Sequence, residues 1–124
     1  MIWGIGTDII EMERIEKAGL DRLAARVLTE SEKQMMPMAP KRKLEFLAGR
    51  FAAKEAISKA LGTGIGEIVS FQDIRIINNE NGAPKAQISA ETMQCLFSDK
   101  KVNIHLSISH SEKYALATAV VEEI

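Results

Sequence analysis

Pro40-Lys41-Arg42-Lys43-Leu44-Glu45-Phe46-Leu47-Ala48-Gly49-Arg50-Phe51-Ala52-Ala53-Lys54-Glu55-Ala56-Ile57-Ser58-Lys59-Ala60-Leu61-Gly62 carries its own start and stop signals for one long helix. Proline suits the first helical turn, where its missing N–H has no partner anyway, and glycine is favoured just past a helix end. The spacing predicts a helix over about Lys41 to Leu61. Leu44, Leu47 and Phe51 form an apolar row at helical spacing, and Glu55 takes the next place on it. A carboxylate where an apolar side chain is due needs a cation or hydrogen bonds. One reading is an ion pair with Lys59, in the favourable i,i+4 order; the other is a ligand site.

Upstream, Ile2 to Ile10 reads as a β-strand rich in β-branched residues. Gly4, Gly6 and Asp8 fall two apart and share one face, bare at the glycines, so another element is expected to pack closely there. Asp8 itself reads either as a helix cap after the strand or as a ligand. Short helices are expected at about Glu11 to Ala18 and Leu20 to Leu28. A third starts at Thr29, whose spacing to Glu32 is that of a capping box, and ends near Pro37. Downstream, Val69 to Ile77 and Pro84 to Ile88 read as a hairpin around the turn Asn78 to Gly82. A helix over about Ala90 to Phe97 follows. Asn103 to Ser109 alternates, with Ile104, Leu106 and Ile108 on one side and His105, Ser107 and Ser109 on the other. A last strand is expected from Tyr114 to Val121 as its antiparallel partner. One strand, then helices, then mostly strands is an α+β order: a mainly antiparallel sheet against one long helix and shorter helices.

The 124 residues fit one domain, 1–124, and 46% hydrophobic content supports a modest core. A large ligand cavity would then need a second subunit to complete it. The net charge of -1 lacks the basic excess of a general nucleic-acid binder. No apolar run reaches membrane-spanning length and no secretory signal pattern is present, so a cytoplasmic location is expected. The single cysteine, Cys95, excludes an intramolecular disulfide and is expected to be a small buried apolar residue.

Asp8 and Glu55 are the candidate pair for a hard cation, because Mg²⁺ takes one or two carboxylates together with waters and phosphate oxygens. Arg50, Lys54 and Lys59 lie on the helix that leads into Gly62-Thr63-Gly64-Ile65-Gly66. That loop reads either as a helix C-cap or as a phosphate contact. It follows a helix instead of opening one, so the helix dipole does not favour an anion there. Arg14, Lys17, Arg22 and Arg26 gather on the first helices, either as a solvated face or as a docking surface for an acidic partner. His105 reads as a ligand contact or a structural hydrogen bond, and His110 as a buried hydrogen-bonding residue. No nucleophile–base–orienter set is visible. These features suit a site for a hard cation and a phosphate-bearing ligand, and leave open whether the chain is an enzyme or a non-catalytic nucleotide- or phosphate-binding module.

Three segments narrow the choice. Gly4-Ile5-Gly6-Thr7-Asp8-Ile9, then Phe46 to Ala56 with Ser58-Lys59-Ala60 and Gly62-Thr63-Gly64, then His105-Leu106-Ser107-Ile108-Ser109-His110 resemble, in order and spacing, the small stand-alone 4′-phosphopantetheinyl transferases of the holo-[acyl-carrier-protein] synthase family. The resemblance runs from residue 2 to about 122. It implies transfer of 4′-phosphopantetheine from coenzyme A to a serine of apo acyl carrier protein for fatty acid biosynthesis. It also implies trimers with active sites at subunit interfaces. Asp8 and Glu55 match magnesium ligands, and Lys59 a catalytic residue beside the coenzyme A pyrophosphate. Arg50, Lys54, Gly62, Thr63 and Gly64 match other parts of the coenzyme A site, while Arg42, Pro84 and His105 match its nucleotide end across the subunit boundary. Arg14, Arg22 and Arg26 match the carrier-docking surface. Ala83 departs from the Lys or Arg that relatives often carry there, so a 3′-phosphate contact is either missing or supplied by Lys85 or Arg42.

Overall fold

The computed structural model describes all residues, 1–124. The chain runs β1 (Ile2–Glu11), α1 (Met12–Ala18), α2 (Leu20–Val27), α3 (Glu30–Met35), α4 (Pro40–Ala60), a 3-10 turn (Phe71–Asp73), β2 (Ile74–Asn78), β3 (Pro84–Ile88), α5 (Ala90–Phe97), β4 (Val102–His110) and β5 (Tyr114–Glu123). The strands form an antiparallel sheet in the order β1-β5-β4 and a separate antiparallel hairpin β2-β3. Helix α4 spans 21 residues and is the axis of the molecule, with the larger sheet on one side and α1 and α2 on another.

The close packing of that sheet follows from small side chains on both surfaces. Ala115, Ala117, Ala119 and Val121 of β5 are buried in alternation with Leu116, Thr118 and Val120. They face Ala48, Ala52, Ala53, Ala56 and Ala60 of the same core. Strand β1 goes further. A Cβ at Gly6 would lie 2.0 Å from the Ala56 carbonyl oxygen and 2.7 Å from the Ala60 nitrogen; one at Gly4 would lie 2.0 Å from the Ala60 oxygen. The bare face expected from the sequence is therefore covered by the backbone of α4. Gly6→Ala is expected to cost about 3 kcal/mol, because strand or helix must retreat from a rigid backbone contact. Thermal denaturation measures it.

Near residue 70 the structure differs from expectation. The strand starts at Ile74 and not Val69, because Ser70 and Asp73 form a local box. The Ser70 N–H and hydroxyl donate to Asp73 Oδ2 at 2.9 and 3.0 Å, and the Ser89 hydroxyl donates to Oδ1 at 3.1 Å. Such side-chain bonds hold the backbone out of a ladder. Burial pushes the Asp73 carboxyl up, but these bonds and one from Thr92 outweigh it and leave its pKa below the usual value. Cys95 is exposed, contrary to expectation. α5 buries Thr92 and Phe97, with Met93 and Leu96 partly covered, and Cys95 lies off that stripe.

The capping box at α3 is present as read from the sequence, and it does more than cap. The Thr29 N–H donates to Glu32 Oε1 at 2.7 Å. Oε1 also receives Lys54 Nζ at 2.6 Å, and Oε2 receives the Ile76 N–H at 2.9 Å. One fully buried carboxylate thus ties α3, α4 and β2 together.

Candidate active site

The antiparallel run of β1 against α4 decides which side chains meet. Gly4 lies on Ala60, and Gly6 on Ala56 and Lys59. Two residues further along β1 and about one turn back along α4, the same face presents Asp8 towards Glu55. Lys59 Nζ completes the cluster, donating to Asp8 Oδ1 and to the Thr7 carbonyl, each at 3.0 Å. Thr7, Asp8, Ile9, Lys59 and Leu116 line an open cavity of about 270 Å³ here. Lys59 therefore pairs with Asp8 rather than with Glu55. Asp8 is not a helix cap either, since β1 continues to Glu11 and α1 begins with no side-chain cap.

Glu55 is half-buried, and its carboxyl is raised from its ordinary pKa. Burial is the largest cause and the charge of Asp8 the next, while Lys59 and Arg26 pull the other way. Two carboxylates crowded in one half-buried place favour a cation between them. No group of three or more His, Cys, Asp or Glu side chains forms a metal cluster. This donor set does not suit a closed structural zinc site. It fits an oxygen-seeking ion that takes most of its ligands from water and substrate, as Mg²⁺ does.

Arg26, on α2, acts on Glu55 only through its charge, the smallest of the four influences on that carboxyl. Its guanidinium carbon lies 5.7 Å above the Phe71 ring. Arg22 and Arg26 are exposed one turn apart on α2, and Arg14 is exposed on α1. No sequence signal set Arg26 apart from its basic neighbours, because its place over Phe71 arises only from how α2 packs on the 3-10 turn.

Other expected residues lie elsewhere. Arg50 is five residues before Glu55, about 140° around the helix. It is buried at 6% exposure, stacked 4.4 Å above the Phe46 ring, with Nε and Nη2 lacking any partner. Burial lowers its pKa, and the charge of Glu32 opposes the shift. Arg50 and Pro84 line a second cavity of about 220 Å³ with Phe46, Gly49, Asn78 and His110. Arg42 is exposed on the first turn of α4. His105 is exposed on the outer sheet face, with Nε2 2.9 Å from Glu122 Oε1. His110 is exposed rather than buried, because β4 runs past the core; its Nδ1 lies 3.5 Å from Glu45.

Lys54 is turned away from any ligand. Its side chain is fully buried, and its ammonium donates to Glu32 Oε1, the Val27 carbonyl at 2.7 Å and the Phe71 carbonyl at 3.1 Å. No donor remains for a phosphate. The loop after α4 behaves as a helix cap. Gly62 N–H donates to the Lys59 carbonyl, and the Thr63 and Gly64 N–H groups both donate to that of Ser58. Positive φ angles of 85° at Gly62 and 64° at Gly64 permit that turn. These three amides are spent on the helix end and are not free to cradle an anion.

Known proteins are similar to this chain along its whole length. The model of the 4′-phosphopantetheinyl transferase superfamily matches residues 4–119. A holo-[acyl-carrier-protein] synthase of Geobacillus sp. (strain WCH70) is 50% identical, over 100% of this chain and 99% of that protein. The crystal structure of such a synthase from Bacillus anthracis str. Ames, in complex with CoA (3′,5′-ADP), superposes with a TM-score of 0.87 at 48% identity, covering 100% of this chain and 99% of the other. The Helicobacter pylori synthase in complex with coenzyme A gives 0.82 at 38% identity, covering 95% and 99%. A β1 that presses two glycines onto a long central helix thus belongs to a fold these proteins share, and the chain belongs to the 4′-phosphopantetheinyl transferase superfamily, in its holo-[acyl-carrier-protein] synthase family.

Proposed function

We propose that this chain transfers the 4′-phosphopantetheine arm of coenzyme A to a serine of apo acyl carrier protein, at a magnesium site formed by Asp8 and Glu55. The observation that carries the site assignment is the convergence of these two carboxylates, with Lys59 Nζ 3.0 Å from Asp8. A bound Mg²⁺ would neutralise charge on the phosphate oxygens during transfer. The nucleophile is the carrier's serine hydroxyl, which attacks the β-phosphate, and 3′,5′-ADP leaves; this accounts for the lack of a triad in the chain. Asp8 and Glu55 supply the charge that holds the metal. Lys59 stabilises negative charge growing on the leaving phosphate. Positioning and electrostatics supply most of the acceleration in such a reaction.

The coenzyme A contacts proposed are Lys59, Arg50, Arg42, Pro84 and His105, with Thr63 and its two flanking glycines, Gly62 and Gly64, as a wall. Lys54 is withdrawn from the set by its burial. The two unpartnered nitrogens of Arg50 support an anion at its cavity, since buried donors without partners are costly. Arg50 and Glu55 face different sides of α4, so a site that uses both ends is best completed by another subunit. The outer sheet face supports this assembly: Ile5 is 68% exposed, Ile9 61% and Leu116 41%. An apolar patch of this kind marks an interaction surface. The proposed assembly is a homotrimer, which sedimentation analysis tests. No helix is long and apolar enough to cross a membrane, in keeping with a proposed cytoplasmic location.

Mass spectrometry of apo carrier protein incubated with coenzyme A and Mg²⁺ tests the function. A phosphopantetheine mass gain that needs Mg²⁺ is expected; no gain sinks the reading in favour of a binding module. Arg14, Arg22 and Arg26 are proposed to receive an acidic carrier surface. Arg14→Glu is expected to raise KM for the carrier about tenfold at low salt, and the gap should narrow as ionic strength rises. An unchanged carrier KM would place docking elsewhere.

A further inference from the structure

Helix α2 has only 8 residues and no local stop signal, yet it bears two of the three docking arginines. A helix this short does not hold itself in place. Its last carbonyls are satisfied by side chains from distant parts of the chain. Lys54 Nζ takes the Val27 carbonyl at 2.7 Å, while Gln72 Nε2 donates to the Arg26 carbonyl at 3.2 Å and the Leu28 carbonyl at 2.9 Å. Gln72 directly follows Phe71, whose ring lies beneath the Arg26 guanidinium at 5.7 Å. Two consecutive residues of the 3-10 turn therefore hold opposite ends of one arginine, its backbone carbonyl and its charged head.

We infer that Phe71 and Gln72 form a positioning clamp for Arg26, with Gln72 the part that sets where the arginine's charge stands for the incoming carrier protein. Phe71 is buried and packs against Phe51, so it has a core role as well. Gln72 is exposed, and its amide is given over to the carbonyls of Arg26 and Leu28. Without it the last turn of α2 frays at Arg26 and Leu28, since those carbonyls return to water. The guanidinium then leaves the ring and samples a wider range of positions. This inference rests on the reading of Arg26 as a docking residue, and the experiment separates the two.

The test is a double-mutant cycle with Gln72→Met and Arg26→Met, assayed with coenzyme A, Mg²⁺ and apo carrier protein. Gln72→Met is expected to lower kcat/KM for the carrier about tenfold, mainly through KM, with KM for coenzyme A unchanged. In the Arg26→Met background the same substitution is expected to have no further effect. Thermal midpoints, measured alongside, should stay close to the parent. Additive losses in the double variant overturn the clamp. So does a parallel fall in kcat, coenzyme A affinity and thermal midpoint, which is the mark of a merely structural residue. An Arg26→Met variant with full carrier affinity overturns the docking role of Arg26 itself. A Gln72→Met variant with parent kinetics, beside an impaired Arg26→Met, overturns the clamp alone.

Discussion

Asp8→Asn is expected to lower the transfer rate by about 10³-fold or more while leaving stability within about 1 kcal/mol of the parent chain. The two halves of this expectation come from one geometry. Asp8 sits beside Glu55, close enough for its charge to raise the Glu55 pKa. Removing the Asp8 charge relieves that repulsion and gives up a contact with the partly exposed Lys59, and contacts of that kind are worth little. The folded chain therefore loses almost nothing. The metal loses one of its two proposed protein ligands, and a loss of about 4 kcal/mol of transition-state stabilisation is about 10³ in rate. Glu55→Gln should behave alike. Single-turnover assays across a magnesium titration, with thermal denaturation in parallel, measure both halves. Near-parent turnover by either variant at ordinary magnesium would remove these residues from the metal site.

Lys54→Met reverses the pattern. It is expected to cost about 3–5 kcal/mol of stability, because it strands the Glu32 carboxylate in the core. Glu32 and Lys54 are both fully buried and 2.6 Å apart. Burial pulls the Lys54 ammonium down in pKa, and the hydrogen bond and charge of Glu32 hold against it. Methionine also leaves the Val27 and Phe71 carbonyls without their donor. Denaturant titration reads the loss. A well-folded Lys54→Met chain with parent stability and a raised KM for coenzyme A would return this lysine to the ligand site.

The contrast between Asp8 and Lys54 shows how far local pattern reaches. Both are charged residues within segments that resemble the family's motifs, and the sequence offered each a ligand role. Register places Asp8: the two-residue period puts it on the face of Gly4 and Gly6, and a bare face must be covered. For Lys54 the deciding partners are Val27, Glu32 and Phe71, between 17 and 27 residues away. No periodicity along α4 carries that information. The glycine loop was legible as a helix stop, because C-capping is local. The strand start at Ile74 was missed because a Ser70–Asp73 box competes with the ladder, and a polar pair three apart is a weak signal inside an apolar run.

Sequence alone determined the element order and the long central helix with both its ends, and the resemblance in motif spacing singled out Asp8 and Glu55. These follow from capping chemistry, side-chain period and motif spacing, all of which act over a few neighbouring residues. Tertiary structure alone decided that Lys59 turns to Asp8, that the Arg26 guanidinium lies over the Phe71 ring and that Lys54 is sealed within the core. Those outcomes depend on which helix backbone can approach a strand without Cβ atoms, and on where distant carbonyls need a donor, and both are properties of packing in three dimensions.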